Sequence, residues 1–291
     1  YKGDVMSINN VIDIEIPSIK KEVKKIKEGI FFDMSNEEYH SLDGLSSTQF
    51  QDLDLSVAIY ENRHLFKYDC EAFRIGTLNH TALLEPHLLD RYIETTTKTF
   101  DSEATKKIIA QNPDKEVVAL GSIELAKERA EKVKLVYGAY IEMSLKEVSF
   151  IVFDEALGLY RKCRADIWLP NHGIVLDYKT SKEHRPETFR KNSISQYNYD
   201  IQSAWYTDTI NMAIEKFDLP YPKVTKFGWI VSPNYEPYKP FGGLAMPDVI
   251  EKGRAKYTAL TEKYISVKFE NGQDELFKSW HTDEFLKSQN N

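Results

Sequence analysis

Two aspartates and a lysine near the middle of the chain have the types and the spacing of a metal-dependent hydrolytic site. Asp177 follows Asp166 after ten intervening residues, and Lys179 comes two positions later. Clustered carboxylates are costly to bury unless something that binds there compensates their charge. Carboxylate oxygens suit a hard divalent cation such as Mg²⁺, and a neighbouring ammonium group could steady or activate an attacking water. The pattern therefore predicts a Mg²⁺ site.

A β-hairpin is the element that must position these three residues. The strand-like runs 161–169 and 174–180 are separated by PNHG, which has the residue types of a turn. Because side chains alternate along a strand, the second aspartate and the lysine share one face, and the partner strand can bring the first aspartate beside them. A surface hairpin whose charged side chains form salt bridges with one another could have the same residues at these positions. The abrupt change from IVL to DYKT favours a site, since buried strands often end this way where a site begins.

The helix expected after the hairpin supplies two further candidates. Gln202 and Tyr206 are four residues apart and share a helix face, with Tyr199 about one turn earlier. An amide and a phenol that point together toward the strand ends could position a phosphate or a water molecule. Aromatic residues at helical spacing are more often core residues, so ordinary packing remains the alternative.

Two other side chains could complete a metal shell. His80 lies on a predicted helix among leucines, where a satisfied core histidine is the commoner role, but a neutral imidazole could also bind the metal. Glu147 opens the first strand of a predicted three-stranded meander. It could be a further acid near the metal, although an exposed surface glutamate is the expected role at such a position.

Basic residues near the acids are candidate contacts for phosphate. Arg161 and Arg164 flank the first aspartate on its strand, and Lys182 begins a basic stretch that follows the second. A separate basic stretch occupies residues 20–27, where a solvated face or a flexible arm is the favoured interpretation.

Composition limits the remaining possibilities. The 291 residues are 42% hydrophobic and 29% charged, as in an ordinary water-soluble globular protein, and the net charge is −7. The sequence has neither a long apolar run nor an apolar signal core, so we expect no membrane association and a cytoplasmic location. Cys70 and Cys163 are too few for a four-cysteine cluster. The net negative charge does not favour nucleic-acid binding. It does not exclude such binding either, because a metal-dependent nuclease concentrates acidic residues in its site.

Predicted helices on both sides of predicted strands give an α/β (α+β) class, with a mixed central sheet flanked by helices. Helices are expected in 35–90, 102–112, 122–143, 186–216 and 247–265, and strands in 147–180 and 226–232. We expect one domain over residues 29–268. Residues 1–28 would be an arm, with YKGDV before Met6 an expression remnant, and 269–291 would be a tail.

The order of the candidate residues resembles the recombination branch of the PD-(D/E)xK nuclease superfamily. The chain looks most like the prophage-encoded RecE (exonuclease VIII) nuclease family, in which a GT-x-x-H-x-x-x-LE helix, a split D…D-x-K hairpin and a Q-x-x-x-Y helix build one site. The first motif is matched here by Gly76, Thr77, His80, Leu84 and Glu85. The resemblance covers roughly residues 30–265. One departure is Ala165, where the superfamily pattern has a proline that shapes the backbone and holds no ligand.

The resemblance implies an exonuclease that requires Mg²⁺, with Mn²⁺ as a substitute. It would degrade one strand of double-stranded DNA from the 5′ end and leave a 3′ overhang for recombination by strand annealing. His80, Asp166, Asp177 and the carbonyl group of Tyr178 would hold the metal. Lys179 would orient or deprotonate the attacking water, or stabilise charge in the transition state. Gln202 and Tyr206 on the following helix would position the substrate or water. The resemblance also implies that the protein acts in the cytoplasm of a bacterial host cell.

The resemblance also implies partners. These are double-stranded DNA ends, a phage single-strand annealing protein, and further copies of the chain in a closed ring, expected to be a tetramer. Two alternatives stay open. An endonuclease or single-strand nuclease of the same superfamily would keep the same core site, and a catalytically idle DNA-binding scaffold would not need the clustered acids.

Overall fold

A computed structural model of the protein describes residues 26–65, 71–96 and 102–269. The strands are β1 (Gly29–Phe31), β2 (Tyr92–Glu94), β3 (Glu116–Val118), β4 (Leu145–Asp154), β5 (Leu159–Leu169), β6 (Ile174–Ser181), β7 (Lys226–Pro233) and β8 (Phe241–Leu244). The α-helices are α1 (Asn36–Ser41), α2 (Phe50–Leu55), α3 (Val57–Glu61), α4 (Glu71–Leu84), α5 (Glu103–Gln111), α6 (Ser122–Glu142), α7 (Pro186–Thr188), α8 (Ile194–Gln196), α9 (Tyr199–Lys216) and α10 (Pro247–Phe269).

Six strands form one mixed sheet in the order β1-β4-β5-β6-β7-β8, and β2 and β3 form a small parallel pair. The predicted meander of β4, β5 and β6 is antiparallel, whereas β6 and β7 are parallel and need the long connection through α9. The α/β class with helices on both faces of a mixed sheet is confirmed. Within the described ranges, no helix combines the length and the apolarity that crossing a membrane requires.

The sheet separates two hydrophobic cores. One core joins α9 and α10 to the sheet around Trp168 and Trp205, and the other joins α4 and α6 to it around Ile167 and Tyr178. Burial on both faces explains why the middle of β6 has almost no exposed residue. The two layers bring their side chains to the sheet from opposite sides, so a site within the sheet can draw residues from both.

The hairpin of β5 and β6 opens at the candidate acids. Its ladder consists of Ile167 with Leu176, Trp168 with Val175 and Leu169 with Ile174, and it stops there. By contrast, β6 continues to pair with β7 as far as Ser181. Strands β5 and β6 therefore diverge just beyond the three residue pairs nearest their turn, at Asp166 and Asp177.

A buried lysine of β5 contacts helix α1 and the residue that follows this helix. Lys162 on β5 is 1% exposed and donates hydrogen bonds to the carbonyl oxygens of Tyr39, at 2.9 Å, and Leu42, at 2.6 Å. Burial lowers the pKa of its ammonium group to about 8; the charge of Arg63 acts in the same direction and that of Asp43 opposes it. Within the described residues no carboxylate pairs with this lysine, which is held by the two carbonyl oxygens and by the ring of Tyr39, 4.9 Å from its Nζ.

Several boundaries differ from the prediction. The region 186–216 is not one helix, because Asn198 has a left-handed backbone (φ 54°) that separates the short turns of 186–196 from α9. The strands β1, β2, β3 and β8 have three or four residues each, too few for a period of two to be recognised. Most of the expected arm (1–28), tail (269–291) and basic stretch 20–27 lies outside the described residues, which begin at 26 and end at 269.

Candidate active site

The first aspartate of the site occupies the gap between the diverging strands. Asp166 is buried, and its Oδ2 accepts a hydrogen bond of 2.7 Å from the backbone N–H of Tyr178. The carboxylate of Asp166 thus takes the place of a backbone hydrogen bond between β5 and β6, whose pairing has ended at this point. Burial, together with the charge of Asp177, raises the pKa of this carboxyl group well above its usual range. A cation beside it would favour the ionised form.

The second aspartate and the lysine meet as the alternation along β6 predicts. The Nζ atom of Lys179 is 2.7 Å from Oδ2 of Asp177, and Nε2 of Gln202 donates to Oδ1 at 2.7 Å. Burial by itself lowers the pKa of Lys179, but the charge of Asp177 outweighs it and the net shift is upward, so the ammonium form is favoured. The Oε1 atom of Gln202 is buried with no hydrogen-bond partner among the described residues.

Helix α4 contributes His80 from the other layer. Its Nδ1 lies 3.5 Å from Oδ2 of Asp166, and its ring packs 5.2 Å from the ring of Tyr178. Burial lowers the pKa of the imidazole, which favours the neutral form that can bind a metal ion. The side chain keeps 28% of its surface exposed, so the histidine borders the solvent side of the gap.

Glu147 lies within the site, and the expectation of an exposed surface glutamate is wrong. The antiparallel register places it opposite Asp166, with a positive φ of 52° that interrupts the ladder at that position. Its Oε2 accepts from Nε of Arg164 at 2.6 Å, and the same arginine donates to the carbonyl of Met34. Burial, followed by the charge of Asp166, raises the pKa of Glu147 to about 7. Only the strand pairing shows this acid to be close, because its local sequence carries no such signal.

These groups fit a divalent cation. Ligand atoms of His80, Glu147 and Asp166 lie within 4.8 Å of one another. An imidazole and two carboxylates, both with raised pKa values, form a donor set that Mg²⁺ or Mn²⁺ can accept. Asp177 is engaged by Lys179 and Gln202 instead, although its charge still acts on Asp166. A role for the Tyr178 carbonyl stays a prediction.

The surroundings of the other three predicted residues differ. Tyr206 is buried on α9, and its ring packs edge-on against Phe227 at 6.0 Å. Lys182 is exposed just beyond β6. Arg161 is not brought to the site: it is 4% exposed, lies 3.2 Å from Asp154 and stacks over Trp205.

The face of β5 explains that correction. Arg164 and Asp166 are two residues apart and point to the side of α4, whereas Arg161 is three residues from Arg164 and points to α9. A guanidinium group enclosed between an aromatic ring and a carboxylate cannot reach phosphate. Arg161 therefore stabilises the packing of β5 against α9.

Comparisons with known proteins agree with this architecture. No curated protein matches the sequence. A crystal structure of a candidate exonuclease from Eubacterium rectale has a similar fold, with a TM-score of 0.55 and 13% identity over 82% of this chain and 88% of that one. At this identity the likeness concerns the fold alone. Residues 46–226, which include every residue of the site described above, match the family described as a PDDEXK-like domain of unknown function (DUF3799). The match spans more than half of the chain, and the protein therefore belongs to this PDDEXK-like family and has its nuclease fold.

Proposed function

We propose that this protein is a divalent-metal-dependent exodeoxyribonuclease that degrades one strand of linear double-stranded DNA in the 5′→3′ direction. The observation that carries the proposal is the convergence of Asp166, Asp177 and Lys179 where β5 and β6 diverge, with His80 and Glu147 beside them. Acids and a protonated lysine in one gap suit a reaction that must neutralise phosphate charge and activate a water molecule.

The residues that would hold the cation are His80, Glu147 and Asp166. Asp177, held by Lys179 and Gln202, would add its negative charge beside them. A bound Mg²⁺ or Mn²⁺ would supply Lewis-acid polarisation of the scissile phosphate and lower the pKa of a water molecule. The neutral imidazole and the hydrogen bond from the Tyr178 N–H to Asp166 keep the ligand atoms oriented for this task.

Lys179 would act as a donor and not as a base. Its ammonium group is the favoured form because Asp177 is 2.7 Å away, so it can donate to a phosphate oxygen and stabilise the charge that develops in the transition state. Gln202 fixes the opposite oxygen of Asp177, and its unpaired Oε1 remains available to accept a hydrogen bond from the attacking water. We thus propose charge stabilisation for Lys179 and positioning of the attacking water for Gln202.

The finer features of the proposal rest on the RecE-like motif order. They are the 5′→3′ polarity, a 3′ overhang used for strand annealing, a ring of several copies, an annealing protein as partner and a cytoplasmic location. A ring would allow an acidic protein to remain on DNA, because topology replaces tight electrostatic binding.

The experiment that tests the proposal follows linear duplex DNA with a 5′-phosphate and a different label on each strand. Wild type should release mononucleotides from 5′ ends in Mg²⁺ and not in EDTA, and Asp177→Ala should lower the rate by at least about a hundredfold. Asp114→Ala, at an exposed turn position between α5 and β3, is the matched control and should retain activity.

Three other outcomes would contradict parts of the proposal. Cutting of a closed circle indicates an endonuclease, and release from 3′ ends reverses the polarity. DNA binding without hydrolysis under any divalent cation would support the idle scaffold and overturn the proposed activity.

A further inference from the structure

A group of packed aromatic rings leads from the candidate active site to the surface. The ring of Tyr199, at the start of α9, lies 5.8 Å from that of Phe189 in a stacked arrangement and 5.7 Å from that of Tyr197. The same ring contacts Lys179, whose Nζ is 4.9 Å from the ring centre. One aromatic ring therefore separates Tyr197 from the lysine of the site.

Tyr197 is the outermost member of this group. Its side chain is 47% exposed, whereas Phe189 is buried and Tyr199 is half-buried. The left-handed backbone of Asn198 separates α8 from α9 at this point, and the tyrosine immediately before it lies at the end of the broken helix. Tyr197 therefore offers an exposed aromatic surface next to a second ring that packs against it.

Exposed basic side chains surround the segment that carries this ring. They follow β6 and continue through the turns before α9 and are Lys182, Arg185, Arg190 and Lys191. None of the four forms an ion pair with another residue in the described part of the chain. The acids among them are Glu187, which is exposed, and Glu183, whose carboxylate accepts from the Asn192 side chain at 3.1 Å. The local charge is positive on a protein whose net charge is −7.

We propose that Tyr197 is a stacking platform for the base of an unpaired nucleotide next to the scissile phosphate, with the neighbouring basic side chains contacting the strand's phosphates. The inference rests on the proposed function and adds that the strand reaches the site unpaired. Bases stack on exposed aromatic rings, and cationic side chains beside them follow the backbone. A tyrosine already ordered by Tyr199 loses little conformational freedom when a base covers it.

The test uses a variant that can bind but not cut. In an Asp177→Asn background, single-stranded oligonucleotides carrying 2-aminopurine at the 5′ end report base stacking by loss of fluorescence, and anisotropy of a distal dye gives the Kd. Tyr197→Ala and Tyr197→Phe are compared with Tyr140→Ala. Tyr140 is the matched control because it is 46% exposed and lies on the outer side of α6 with the exposed Leu135 and Val136.

Tyr197→Ala should raise the Kd about tenfold and abolish the quenching, whereas Tyr197→Phe and Tyr140→Ala should stay within about twofold of the parent. An unchanged Kd and unchanged quenching in Tyr197→Ala would overturn the platform, and with wild-type hydrolysis intact the proposed function would stand. A wild type that neither binds nor cuts DNA overturns both proposals. Equal weakening by Tyr140→Ala would assign the effect to general surface change and also reject the platform.

Discussion

Replacing Gly253 by alanine should separate the two helices that support one side of the candidate site. Gly253 lies within α10 at the point where this helix touches the start of α9. A Cβ atom there would be 1.9 Å from the carbonyl oxygen of Asp200, 2.3 Å from its carbon and 2.8 Å from the backbone nitrogen of Ile201. All three neighbours are backbone atoms, so no side-chain rotation can relieve the overlap. The helices must move apart instead.

The size of the effect follows from two opposed terms. Alanine is favoured over glycine inside a helix by about 1 kcal/mol, which acts to stabilise the variant. Ordinary contact between heavy atoms needs roughly 3.5 Å, so the helices must separate by more than about 1 Å, and overpacking of this kind costs about 3 kcal/mol. The net loss of about 2 kcal/mol should lower the Tm by about 4–8 °C for a domain of this size.

The assay is thermal unfolding followed by circular dichroism, with Gly138→Ala as the control. Gly138 also lies inside a helix, α6, but a Cβ there meets nothing within 4 Å, so this variant should gain about 1 kcal/mol. Because α9 also carries Gln202, the Gly253 variant should lose nuclease activity below its Tm. A Tm for Gly253→Ala at or above that of wild type would refute the close helix contact.

Three further outcomes are expected. Gln202→Leu should lower kcat about tenfold to a hundredfold with little change in Tm, because it removes the hydrogen bond that orients Asp177; an unchanged kcat would exclude that role. Mn²⁺ at a hundred times its Kd should stabilise wild type by about 2.7 kcal/mol, and Glu147→Gln should remove most of the Tm shift if this acid is a ligand. The free energy of unfolding measured in urea should rise between about pH 8 and 10. The reason is that the pKa of Lys162 is about 8 in the folded protein and higher in the unfolded chain, so the folded protein loses this proton at a lower pH. The gain of up to about 3 kcal/mol should be absent in Lys162→Met, and an identical pH dependence of the two proteins would contradict the assignment.

The local sequence pattern was sufficient to predict which side chains of the hairpin share a face at the candidate site. A period of two in β6 and a short turn fix which side chains share a face, and Asp177 and Lys179 meet as predicted. The same rule, applied to Arg161 and Arg164, places them on opposite faces, and this distinction was missed when both were expected to contact phosphate. Glu147 could not be recognised in this way, because its position depends on pairing between β4 and β5 and on a positive φ.

Helix interruptions were also beyond local pattern. Weak helix formers such as Asn192, Ser193 and Asn198 lie within 186–216, but their residue types do not show which of them ends a helix. The left-handed backbone of Asn198 decides where α9 begins. Asparagine tolerates this conformation better than most residues but does not require it. The exposed position of Tyr197 therefore depends on a backbone choice that tertiary packing makes.

The unequal lengths of the connections in the central sheet suggest an order of folding events. Short turns join β4, β5 and β6, whereas β6 and β7 are parallel neighbours separated by residues 182–225. Closing a short loop precedes closing a long one, because the entropic penalty is smaller. We therefore expect the strands bearing Asp166 and Asp177 to associate early and α9 to dock later with Gln202. A chain emerging from the ribosome would then hold its acids together well before it could complete the catalytic arrangement.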